Sequence, residues 1–166
     1  MITIRIASLI LLVLACLVST AVGADKVATF SSLPEGDELE MNFATTGCFH
    51  FAEYDLKFRR TPKPTVSVVQ IGYTWSDELK KMTATNRTTL GELTLSKADL
   101  KGLDNLLEFY RSPRRGGCTT HERFSISQRH DGTLTATEHF VDLSCSYERK
   151  NLLRITELVL RFEKPK

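Results

Sequence analysis

The chain has 166 residues, of which 22 are basic and 20 acidic, giving a formal net charge of +2. This balance supplies no electrostatic case for nucleic acid or an anionic membrane surface. A chain of this length builds one hydrophobic core, and no apolar run after the first two dozen residues approaches the roughly 20 residues that a membrane span needs.

The N-terminus has the three parts of a secretory signal. Arg5 is the only charge before Asp25, an apolar run follows from Ile6 to Val18, and small residues (Ser19, Thr20, Ala21, Gly23, Ala24) close it. Val22 and Ala24 fit the small-residue positions ahead of a cleavage site. The sequence therefore predicts a signal peptide over 1–24 and a single exported domain, periplasmic or secreted, over 25–166. Val13-Leu14-Ala15-Cys16 loosely matches a lipobox. Lipidation of Cys16 is thus the alternative, and it would make the protein a membrane-anchored lipoprotein.

Residues 25–37 read as a polar lead-in. Leu39, Met41 and Phe43 then alternate with polar residues, the period of a half-buried strand. A second strand is expected from Cys48 to Arg59, with Ala52, Tyr54, Leu56 and Phe58 on one face and Phe49 and Phe51 on the other. Thr61-Pro62-Lys63-Pro64 is a stiff connector, and Val66 to Trp75 a third strand. Residues 76–88 are polar and helix-permissive. Leu90, Leu93 and Leu95 suggest a short fourth strand.

Ser96 and Asp99 form a capping-box signal, and Leu100, Leu103, Leu106, Leu107 and Tyr110 follow as an apolar stripe at helical spacing. Pro113 and Gly116-Gly117 end that helix. Asp131-Gly132 marks a hairpin between arms carrying Phe124 and Ile126, and Leu134, Ala136 and Phe140. From Leu152 the pattern is helical at first, while Leu158, Leu160 and Phe162 also fit a closing strand. The fold class expected is α+β: a mainly antiparallel sheet with one long helix packed on a face.

Three cysteines follow the signal: Cys48, Cys118 and Cys145. In an oxidising compartment one disulfide is expected, leaving one thiol over. A two-residue loop at Asp131-Gly132 pairs His130 with Thr133 and, carried outward, sets Cys118 opposite Cys145. A three-residue loop instead places all five apolar residues on one face and sets Cys118 opposite Ser144; a bulge near Phe140-Val141 would restore the cysteine pairing. Cys118–Cys145 leads, with Cys48 as the alternative partner. Gly47-Cys48-Phe49 and Gly117-Cys118-Thr119-Thr120, with the later Cys145, resemble fragments of uncharacterised exported bacterial proteins; the resemblance implies no characterised family.

The motifs of serine hydrolases, zinc peptidases, P-loops and dinucleotide sites are absent from the sequence. A zinc site on Cys48, His50, Cys118 and His121 is the metal alternative, and a thiol-dependent hydrolase with Cys48 or Cys118 beside a histidine is the catalytic one. Arg111, Arg114 and Arg115 read as the solvated, cation-rich end of a helix, with reception of an acidic partner or phosphate as the alternative. Tyr73, Trp75, Phe49 and Phe51 read as core, with an aromatic ligand surface as the alternative, and His139 reads as exposed. Asn86-Arg87-Thr88 is an N-glycosylation sequon that matters only in a eukaryotic source. Without a visible catalytic set or cofactor motif, the preferred reading is a non-catalytic module that binds or inhibits a protein or small ligand.

Overall fold

The computed structural model describes residues 26–47, 51–112, 116–117, 119–144 and 152–163. The described residues form, in chain order, six strands and two short helices: β1 (Asp37–Thr46), β2 (Phe51–Arg59), β3 (Thr65–Ser76), β4 (Lys81–Thr94), α1 (Lys97–Arg111), β5 (His121–His130), β6 (Thr133–Asp142) and α2 (Ile155–Glu163). The strands form one sheet in the order β4-β3-β2-β1-β5-β6, and every neighbouring pair is antiparallel.

Period-two patterning sorts the side chains. Leu39, Met41 and Phe43 of β1, Tyr54, Leu56 and Phe58 of β2, Val66 and Val68 of β3, and Phe124 and Ile126 of β5 are buried on one face. Leu103, Leu106, Leu107 and Phe109 of α1 join them, with Ile155, Leu158 and Val159 of α2.

The expected single long helix on a face is not what covers this sheet. The structure is predominantly antiparallel sheet, with helices of only 15 and 9 residues. Geometry explains why one helix does not suffice. Six strands spaced about 4.8 Å apart span roughly 24 Å, more than twice the width of a helix, about 10 Å. A third piece therefore shares the cover: Val27, Phe30 and Leu33, from the segment expected to be a polar lead-in, are buried in the same core. Hydrogen bonds anchor this segment, from the Val27 amide to Glu138 at 3.1 Å and from the Ala28 amide to Gln128 at 2.8 Å.

The two helices meet closely. The Leu153 amide, just before α2, donates to the Gly102 carbonyl at 3.1 Å, and a Cβ built on Gly102 would lie 2.7 Å from the Leu153 Cβ. The Ser96–Asp99 capping box is present in full. Its carboxylate also meets Arg161 of α2 at 2.8 Å, and Arg161 holds the Asp99 carboxyl down to about 2.

Two segments that periodicity left open are settled by the structure. Residues 76–88 are not helical: β4 begins at Lys81 and runs 14 residues, beyond the short strand around Leu90. Its threonines suit a strand, and its pairing with β3 outweighs the polarity. The terminal segment is helix throughout Ile155–Glu163 rather than a strand.

The β5–β6 hairpin follows neither proposed register along its length. Asp131 and Gly132 both have positive φ (48° and 78°), as a two-residue turn of this hand requires. The ladder then shifts by one residue between Gln128 and Arg129, so Phe124 faces Phe140 and Gln128 faces Ala136. The bulge thus lies at the base of the turn rather than near Phe140-Val141, and it sends Leu134 to the opposite face from Phe124.

Candidate functional site

Among the described residues no helix packs on the other side of the sheet, and the strand register turns that side into a grid. Four rows cross β2, β1, β5 and β6 in turn. They read Arg59, Glu38, Arg129, Leu134; Lys57, Glu40, Ser127, Thr137; Asp55, Asn42, Ser125, His139; and Glu53, Ala44, Arg123, Val141. Ser67, Val69 and Ile71 of β3 continue the last three rows beyond β2.

Short side chains occupy the middle of this grid. Asn42, Ser125, Ser127, Ser67 and Val69 line a shallow trough of mixed character, walled by Glu40, Lys57, Asp55 and Arg87. The walls are held by one another. Lys57 bridges Glu38 at 2.9 Å and Glu40 at 3.1 Å. Arg59 meets Glu38 at 3.1 Å, and Arg129 meets Glu40 at 2.6 Å. Arg87 pairs with Asp55. Asn42 donates to Glu53 and to Asp55, each at 2.9 Å, and the Tyr73 hydroxyl donates to Glu53.

These contacts fix the charge states. Lys57 lowers the Glu38 pKa and Arg129 lowers that of Glu40, against the opposing effect of burial. The two glutamates in turn raise the Lys57 pKa. The Glu53 carboxylate beside Tyr73 raises the phenol pKa, so the hydroxyl stays a donor. The trough therefore presents fixed donors and acceptors at near-balanced charge. It can hydrogen-bond a polar ligand without reorganising its walls.

At one end of the face lies an aromatic patch. Phe51 and Tyr73 pack edge to face, with ring centroids 4.5 Å apart. Trp75 is 57 % exposed, with Met82 opposite it on β4. Tyr73, Trp75 and Phe51 thus sit on the open face rather than in the core as expected. Phe49 lies outside the described residues.

A second concavity lies on the helix side, lined by Phe43, Tyr110, Thr120, Glu122, Asp142 and Arg154 among others. Glu122 and Asp142 face each other across β5 and β6. The Tyr110 hydroxyl donates to Glu122 at 2.9 Å, and its ring stacks on Phe124 and Phe140. Burial pushes the Tyr110 pKa upward, further helped by Glu122. This arrangement ties the C-terminal turn of α1 to the sheet.

Of the candidate site residues, Cys16, Cys48, His50, Cys118 and Cys145 all lie outside the described residues, as do Arg114 and Arg115. His121 is described: it opens β5, is exposed, and pairs with Thr46 in the ladder. Among the described residues no group of three or more His, Cys, Asp or Glu side chains is placed to hold a metal, and no helix is long and apolar enough to cross a membrane. Arg111 is not a solvated helix-end cation. It is mostly buried, pairs with Glu138, and donates to the Val27 carbonyl at 2.8 Å.

The trough itself escaped the sequence reading. Its signal was available in the alternating charges at 38 and 40 and at 53, 55, 57 and 59, which mark one face of two adjacent strands. What the sequence lacks is the strand order that brings Ser125 and Ser127 beside Asn42. No family model matches this chain, and no curated protein is detectably similar to it in sequence.

Proposed function

We propose that this protein is an exported, non-catalytic binding module whose ligand lies in the trough on the open face of the sheet. The observation that carries this reading is the trough's construction. Asn42, Ser67, Ser125 and Ser127 form its floor with Val69, and its charged walls are already paired with one another, Lys57 with Glu40 and Arg87 with Asp55. A floor of short hydroxyl and amide side chains supplies specificity through hydrogen bonds, and preformed ion pairs keep the ordering cost of binding low. The signal-like N-terminus supports export.

The test is a screen of the mature protein against an array of neutral and charged oligosaccharides and short peptides. Hits are then mapped by backbone amide shifts. The expected result is a ligand whose shifts cluster at Asn42, Lys57, Ser125 and Ser127. A ligand that instead perturbs only the helices, or turnover of any ligand on the array, overturns the reading.

A further inference from the structure

The sheet has two edges, and they are guarded differently. Edge strand β4 carries Lys81 and Arg87, and its pairing with β3 is broken by two register shifts. Charges and bulges of this kind are the usual protection against pairing with a foreign strand. Edge strand β6 reads TLTATEHFVD, without lysine, arginine or proline. Its one irregularity lies next to the turn, so Ala136 to Asp142 run in unbroken register with β5. Among the described residues no strand pairs with its outer side. On the open face of this edge Leu134 is 53 % and Val141 67 % exposed.

The charges beside this edge are also unlike the rest of the face. Arg59, Arg87 and Arg129 each sit in an ion pair. Arg123, one strand in from the edge and opposite Val141, makes none among the described residues. The nearest carboxylate in its row, Glu53, lies across Ala44 and is engaged by Asn42 and Tyr73. His121 precedes Arg123 by two residues on the same face, and His139 stands diagonally across from it on β6; both are exposed. A guanidinium with no ion pair among the described residues and two imidazoles therefore border a strand edge whose own carboxylates, Glu138 and Asp142, both lie on the helix side.

We infer that β6 is a docking edge for an extended segment of a partner polypeptide, with acidic residues at alternate positions beside His139 and beside Val141, the second meeting the Arg123 guanidinium extended over Val141. Backbone hydrogen bonds to the free edge supply affinity, and the alternating side chains supply specificity. A second copy of this chain fits less well. Leu134, Thr137, His139 and Val141, which its own β6 would present on this face, include no carboxylate to meet His139 or Arg123. The inference rests on reading the protein as a binding module, but it uses an edge separate from the trough.

The probe is a peptide of about ten alternating Glu and Val residues, matching the length of β6, with a Lys/Val peptide as its control. Binding is followed by fluorescence anisotropy, and amide hydrogen exchange is followed along β6. The Glu/Val peptide is expected to bind at least about tenfold more tightly than the control, a difference of roughly 1.4 kcal/mol. Alternate β6 amides should gain protection as it binds. In the double variant Arg123→Glu with His139→Glu, both at exposed positions, the preference should reverse toward the Lys/Val peptide. Equal binding of the two peptides, or binding without β6 protection, overturns the proposal. So does concentration-dependent self-association that protects β6 without any peptide, which would make a second copy the occupant. If the peptides fail while a trough ligand still binds, the edge proposal falls alone; if trough and edge both stay silent, the binding-module reading falls with it.

Discussion

Strand β1 supplies both faces of the sheet from one ten-residue segment. Leu39, Met41 and Phe43 point into the core, while Glu38, Glu40 and Asn42, alternating with them, point to the open side. The two faces differ in what holds them. The core face is held by area removed from water, which is non-directional and large in sum. The open face is held by ion pairs that stay partly solvated, such as Lys57–Glu38, and surface pairs of this kind contribute little stability each. A network that orders side chains precisely while stabilising the fold weakly suits recognition better than scaffolding.

The comparison breaks most easily at its extremes. Phe58 is fully buried, so Phe58→Ala is expected to cost about 3–5 kcal/mol in urea unfolding. Ser127→Ala, on the trough floor, should stay within about 0.5 kcal/mol. If the two variants cost the same, the division between the faces fails.

Next in size is an ion pair on the core side of the sheet. Arg111 and Glu138 retain only 20 % and 16 % side-chain exposure, and Arg111 also holds the Val27 carbonyl. Arg111→Ala should cost about 3 kcal/mol, at the lower end for breaking a buried pair because some exposure remains. It should also loosen the N-terminal arm, seen as faster exchange of the Val27 and Ala28 amides. Lys57→Ala on the open face should cost less than about 1 kcal/mol.

Gly102 tests the helix layer. Glycine to alanine inside a helix normally stabilises by up to about 1 kcal/mol. Here the new Cβ would meet the Leu153 Cβ at 2.7 Å and the Leu153 amide nitrogen at 3.0 Å. Gly102→Ala is therefore expected to destabilise, by about 1–3 kcal/mol. A gain in stability would show that α2 is not seated against α1 as described.

The smallest effect is at Asp99, where the capping box and Arg161 meet. Asp99→Ala should cost about 1 kcal/mol at neutral pH. Because the folded carboxyl titrates at about 2, below its ordinary value of 3.8, its contribution is complete above roughly pH 4. It is lost as the pH falls from there through 2. Thermal melts of the parent and the variant should therefore converge in that window; a constant gap would contradict the pairing.

Much of the core face was legible in the sequence. The alternation at 39, 41 and 43 and at 54, 56 and 58, and the stripe from Leu103 to Leu107, follow from period alone. The arm at 27–33 was not, because three apolar residues spaced by polar ones carry no regular period. Strand β4 was not, because its threonines gain their place only by pairing with β3. The trough belongs to the same class: Asn42, Ser67, Ser125 and Ser127 come from three strands, β1, β3 and β5, and only the order β3-β2-β1-β5 brings them together.

The most direct test of the central claim uses the variant Ser125→Tyr, which fills the trough with a side chain that strands accommodate well. Its affinity for any ligand found on the array would be measured by titration calorimetry beside the parent protein. The account requires a loss of about tenfold or more, with a melting temperature within about 2 °C of the parent. Unchanged affinity in a folded Ser125→Tyr protein would contradict it and move the binding site off the open face.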